Sequence, residues 1–97
     1  MKSRSEILER LHKARPELAR EFGIRRLALF GSHARNEQIP GSDVDVLVDF
    51  DPSLGLRFVD LADRIETVLG EQADVVSRRA IPARYWVLIE RDLVEVP

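Results

Sequence analysis

A glycine and a serine, Gly31-Ser32, stand ten residues ahead of two acids, Asp43 and Asp45, which a single valine separates. A glycine between a strand and a helix lets a ligand approach the backbone, and the amides and hydroxyl that follow are donors suited to phosphate. On an extended strand, residues two apart share a face at a spacing of about 7 Å. Two carboxylates at that distance oppose each other by roughly 2 kcal/mol at an effective dielectric of about 20. A divalent cation bound by both removes that cost, and so does open solvent. The bare Asp-x-Asp tripeptide is more often a solvated pair at a strand start. The Gly-Ser turn upstream shifts the reading to metal-assisted phosphoryl or nucleotidyl transfer.

The elements that must position these residues are legible in outline. Ile7, Leu11, Ala14 and Leu18 recur at helical spacing, with Ser5 as the expected cap and a kink or a break expected near Arg15, because Pro16 does not suit a helix interior. Gly23 is the expected stop. Arg25–Phe30 is a short apolar run and predicts a central strand. Ser32 then reads as the N-cap of a short helix, followed by a loop through Pro40 and Gly41. Asp43–Phe50 predicts a strand with Val44, Val46 and Val48 on one face and Asp43, Asp45, Leu47 and Asp49 on the other. After a turn at Pro52, Ser53 and Gly55, the stripe Phe58, Leu61, Ala62, Ile65, Val68 and Leu69 predicts a helix ending at Gly70. Ala73–Ser77 predicts a strand, Pro82 opens a helix running through Ile89, and Leu93–Val96 predicts an edge strand. The expected architecture is α/β (α+β), a small mixed sheet of three to four strands flanked by helices, in one domain spanning residues 1–97.

The string Gly31-Ser32-His33-Ala34-Arg35-Asn36, followed by Gly41-Ser42-Asp43-Val44-Asp45, resembles the signature of the DNA polymerase beta nucleotidyltransferase superfamily, and its minimal, MNT-type branch most closely. The order of elements fits that branch from about Ile7 to Val96. The resemblance implies a polymerase beta-like core in which Asp43 and Asp45 hold Mg²⁺, two ions in all. Asp74 would complete a metal site or help deprotonate the acceptor. It also implies nucleotide binding by Gly31, Ser32, Arg35 and Ser42, with ATP as substrate and pyrophosphate as leaving group. Members of this branch act as antitoxins that add AMP to a tyrosine of a HEPN-domain toxin, which implies such a toxin as partner in a hetero-oligomer. A non-catalytic antitoxin that occludes its toxin is the alternative. Transfer to a small molecule is disfavoured, since 97 residues offer little room for an acceptor pocket. Asn36 stands where many members carry Gly, and Asn tolerates the left-handed backbone.

The remaining residues receive plainer readings. His33 is expected to be an exposed helix residue, and with His12 distant no histidine metal site is indicated. An ion pair with a neighbouring acid is as good a role for Arg35 as phosphate binding. Asp49, Asp51, Arg78 and Arg79 are expected to be solvated, and Tyr85, Trp86 and Ile89 to be core, or an anchor for a partner protein. Fifteen basic against 17 acidic residues leave a net charge of −2, which argues against stable nucleic-acid binding. Without cysteine there is no disulfide framework or thiolate metal site. No run approaches the roughly 18 to 20 apolar residues of a membrane span, so no membrane partner and a cytoplasmic location are expected.

Overall fold

The chain's two most apolar strands, β1 (Ile24–Phe30) and β2 (Val44–Phe50), pair antiparallel at the centre of a four-stranded sheet. The computed structural model describes residues 2–97. Strand β3 (Ala73–Ser77) adds parallel to β2 and the short β4 (Val94–Glu95) adds antiparallel to β1, giving the order β3-β2-β1-β4. The expected mixed sheet flanked by helices is what forms, with an edge strand shorter than the one expected. A parallel β2-β3 pair needs a crossover connection, and α3 (Phe58–Leu69) supplies it.

One face of the sheet carries the main core. Leu27 and Leu29 of β1 and Val44, Val46 and Val48 of β2 are fully buried against Ile7, Leu11 and Leu18 of α1 (Arg4–Phe22) and Leu61, Ile65 and Leu69 of α3. The opposite face has a smaller cluster. There Ala28 and Leu47 meet Ile81, with Phe30, Val76, Trp86, Ile89 and Leu93 packed around them. The last helix, α4 (Ala83–Asp92), buries none of its residues fully, so this face is only partly covered. None of the described helices is long and apolar enough to cross a membrane.

Three local expectations are corrected. Ser3, not Ser5, caps α1, its hydroxyl accepting from the Glu6 amide at 3.2 Å. The helix runs unbroken through Pro16. A proline in a helix interior costs about 3 kcal/mol, but Leu11 before it and Leu18 after it are both buried, and each full burial returns about 1.5–3 kcal/mol. The short helix α2 (Gly31–Ala34) starts from Phe30, so Ser32 lies inside the turn instead of capping it. Elsewhere the bounds of α3 and β3 match those expected, and the turn after β2 is a pair of 3₁₀ turns over Pro52–Arg57.

Candidate active site

Strand alternation puts Asp45 on the same side of β2 as Leu47, the face that α4 only partly covers. Asp45 stands opposite Phe30 on β1 and opposite Asp74 on β3, so one row of the sheet reads Phe30, Asp45, Asp74. Asp43 precedes the first residue of β2 and is exposed, as is Asp74, while Asp45 is half-buried. Register therefore sets Asp45 beside Asp74 across two strands, and Asp43 lies in the loop leading into β2.

Gly31 closes this site from above. Its backbone has φ +75°, and a Cβ there would stand 2.9 Å from the Asp45 carboxylate carbon, closer than real Cβ contacts come. Glycine is needed here for both space and conformation. The turn it opens is tied down behind: the Arg35 amide donates to the Gly31 carbonyl at 3.1 Å and the Glu37 amide to the Ser32 carbonyl at 2.8 Å. At the front, the first amides of such a turn have no helical carbonyl to meet. Asn36 adopts φ 60°, the one positive value outside glycine among the described residues, as its position in the motif led us to expect.

The acids lack compensation from the protein. Among the described residues, none of Asp43, Asp45 and Asp74 enters an ion pair. Burial, then the charge of Asp74, then that of Asp43 raise the Asp45 pKa above its ordinary 3.8, against weaker opposing pulls from His33 and Arg35. Among the described residues no three His, Cys, Asp or Glu side chains form a ready metal cage. A hard cation such as Mg²⁺ usually takes one or two carboxylates and completes its shell with water and substrate phosphate. The donor chemistry fits: carboxylate oxygens, unneutralised, beside a phosphate-suited turn. A small cleft of about 190 Å³ adjoins Asp43 and is lined by Gly41, Ser42, Asp43, Glu71 and Gln72. A larger one, about 340 Å³, lies on the α1 and α3 side, where Arg64 is already paired with Glu17 and Glu21.

Other residues fall differently. Arg35 ion-pairs with Glu37 at 3.2 Å and Asp92 at 3.0 Å, fastening α2 to the end of α4. Ser42 braces its loop, with its hydroxyl oxygen accepting from the Ile39 amide at 3.1 Å, and its hydroxyl hydrogen is left to donate. His33 is the clear correction: expected to be exposed, it is wholly buried, since the single turn of α2 points it inward beside Ala34. Asp51 is exposed as expected, but it also pairs with Arg25 and caps the first 3₁₀ turn, a bond from Ser53 that lowers its pKa. Trp86 is partly buried under Arg78 and Arg26, whereas Tyr85 is half exposed, so the pair divides between core and surface. The Gly31–Asp45 contact and the burial of His33 were missed, because both are set by how α2 lies on β2, and no spacing in the chain encodes that.

The comparisons with known proteins identify the family and the fold. A family described as a nucleotidyltransferase domain matches residues 11–96. The protein adenylyltransferase MntA of Thermococcus cleftensis is 39% identical over 82 residues, 82% of each chain. A Methanocaldococcus jannaschii protein provisionally named a protein adenylyltransferase is 40% identical over 98 residues, 99% of this chain and 100% of its own. Among solved structures, one provisionally described as a minimal nucleotidyltransferase superposes with a TM-score of 0.73 at 33% identity, covering 90% of this chain and 93% of its own. A toxin–antitoxin complex crystallised with AMP-PNP shares the fold, with a TM-score of 0.69 at 20% identity over 89% of this chain and 72% of that one.

Proposed function

The chain belongs to the nucleotidyltransferase domain family, and from that premise we propose that it is an antitoxin that transfers AMP from ATP to a tyrosine of a HEPN-domain toxin. The observation that carries the reading is the row in which Asp45, pressed against the Gly31 backbone, stands in register with Asp74. Relatives named as protein adenylyltransferases over nearly the full chain support the choice of AMP transfer.

Each residue has a part set by its position. The Gly31 backbone and the Ser32 hydroxyl orient the β and γ phosphates, which keeps the α-phosphorus near the acids. Asp43 and Asp45 would hold Mg²⁺. When bound, the ion offsets the charge of the triphosphate and polarises the α-phosphoryl group. Asp74 is exposed and so reaches a hydroxyl presented from outside. The acceptor oxygen bonds to the α-phosphorus, its proton passes to the Asp74 carboxylate, and the bond from the α-phosphorus to the α–β bridging oxygen breaks. The electron pair leaves with pyrophosphate. Ser42 shapes the loop beside Asp43 and can add one donor, and Arg35 holds α2 in place through Asp92. With the acids on a partly covered sheet face and only a small cleft beside them, the partner protein completes the site as a hetero-oligomer.

The test is incubation with ATP, Mg²⁺ and a HEPN-domain partner encoded beside this chain. The expected result is a gain of AMP mass on a partner tyrosine with release of pyrophosphate, lost when Asp43→Ala and Asp45→Ala are combined. An unmodified partner would refute adenylyl transfer. Protection that survives the double substitution would establish neutralisation by occlusion instead.

A further inference from the structure

His33 is an anomaly in an otherwise apolar interior. It is wholly buried, and neither Nδ1 nor Nε2 meets a hydrogen-bond partner among the described residues. It is also the one buried polar or charged residue among the described residues. A ring stripped of water and given nothing in return weakens the fold, so an aliphatic side chain would serve packing better at this position. Local choices that oppose stability cluster where function draws on them.

The short helix that carries this ring lies against Asp45. His33 follows Gly31 by two residues on α2, and the Gly31 backbone lies directly against the Asp45 carboxylate. A charge on the ring would favour the ionised form of Asp45, against the larger effects of burial, Asp74 and Asp43. Asp43 and Asp74 face water, which satisfies their oxygens, whereas Asp45 is half-buried and needs a donor from the protein side to fix its direction. Resting on the adenylyl-transfer reading above, we propose that His33 is a positioning residue that donates a hydrogen bond to Asp45 from the interior and holds that carboxylate toward the cation and the triphosphate. The bond is unmade in the free chain and forms as Asp45 turns from the Gly31 backbone to the ligand. Neutral imidazole suffices, because one ring nitrogen always carries a proton.

The experiment compares wild type with His33→Leu and His33→Gln. Thermal midpoint is read without ligand, affinity for Mg²⁺ with AMP-PNP by calorimetry, and AMP transfer by kcat and KM. Nitrogen NMR of the His33 ring completes the set. For His33→Leu we expect an equal or higher melting temperature together with about 10–100-fold weaker binding and lower kcat, the range that partners of ligating groups command. His33→Gln should recover part of the loss, and the liganded wild type should show a ring N–H protected from exchange. A leucine variant that binds and turns over like wild type would overturn the proposal. So would a lower melting temperature with unchanged binding, a loss that glutamine does not repair, or an unprotected ring. If wild type itself fails to bind Mg²⁺ with AMP-PNP, the adenylyl-transfer reading falls and this inference falls with it. If wild type binds and the variants match it, only this inference falls.

Discussion

The α-carbon of Gly31 backs onto the carboxylate of Asp45, leaving no room for even a methyl group between the phosphate-suited turn and the half-buried acid. Replacing Gly31 with Ala therefore strains the molecule twice, through φ +75° and through the clash with Asp45. The left-handed backbone alone costs about 1–2 kcal/mol for a residue with a Cβ. Urea denaturation should show at least that loss. AMP transfer should fall by about 100-fold or more, because a displacement near 1 Å in a positioned group has that effect. Adding Asp45→Ala should restore part of the stability and none of the activity, which marks the clash as the shared cause.

Asp45 also sets a pH dependence. Its pKa is raised in the folded chain, by burial first and then by Asp74 and Asp43, so ionising it disfavours the native state. Its stabilising contribution is complete below the ordinary value of 3.8 and is lost as pH rises through the elevated folded value. Asp45→Asn is thus expected to melt higher than wild type at pH 7, with the difference shrinking as the pH falls toward that ordinary value. Mg²⁺ should raise the melting temperature of wild type and leave Asp45→Asn nearly unchanged. A variant less stable than wild type at pH 7 would mean that the carboxylate is compensated in solution.

Arg35 separates a fastening role from a phosphate role. It is held by Glu37 and Asp92, and these bonds raise its pKa further, so its charge is constant throughout the working range. Arg35→Gln and Asp92→Asn should each lower the melting temperature slightly, and the double variant should melt no lower than the worse single one, since both break one link between α2 and α4. KM for ATP should change by less than about threefold, as expected of an exposed pair with small coupling. A tenfold rise in KM confined to Arg35→Gln would assign the guanidinium to the triphosphate.

Much of this arrangement could be read from the chain because periodicity and turn chemistry carry it. Helix α3 was bounded by its apolar stripe and Gly70, Asp45 was placed by alternation on β2 and Asp74 by its short strand, while Asp43, expected on the strand, lies in the loop just before it. What escaped was set by packing between elements. The inward turn of His33, the contact of Gly31 with Asp45 and the capture of Arg35 by Asp92 each join residues through the way α2 lies on β2 or meets α4, at separations that local pattern does not encode. The persistence of α1 through Pro16 belongs to the same class, with burial on both flanks overriding a local breaker.

That override makes Pro16 a site where stability can be recovered. The proline has no N–H to offer the His12 carbonyl and crowds it, a combination that costs about 3 kcal/mol inside a helix. Alanine would restore the bond and the best helix propensity, while giving up the stiffening of the unfolded chain that proline provides, about 0.4–1 kcal/mol. Because Pro16 is exposed, no packing is lost. Pro16→Ala should therefore gain about 2–2.5 kcal/mol in urea denaturation. AMP transfer should stay at the wild-type level, since α1 lies across the sheet from Asp45. A fall in stability would show the opposite, that a bend at Pro16 is what lets Ile7 and Leu11 on one side and Leu18 and Phe22 on the other reach the same core.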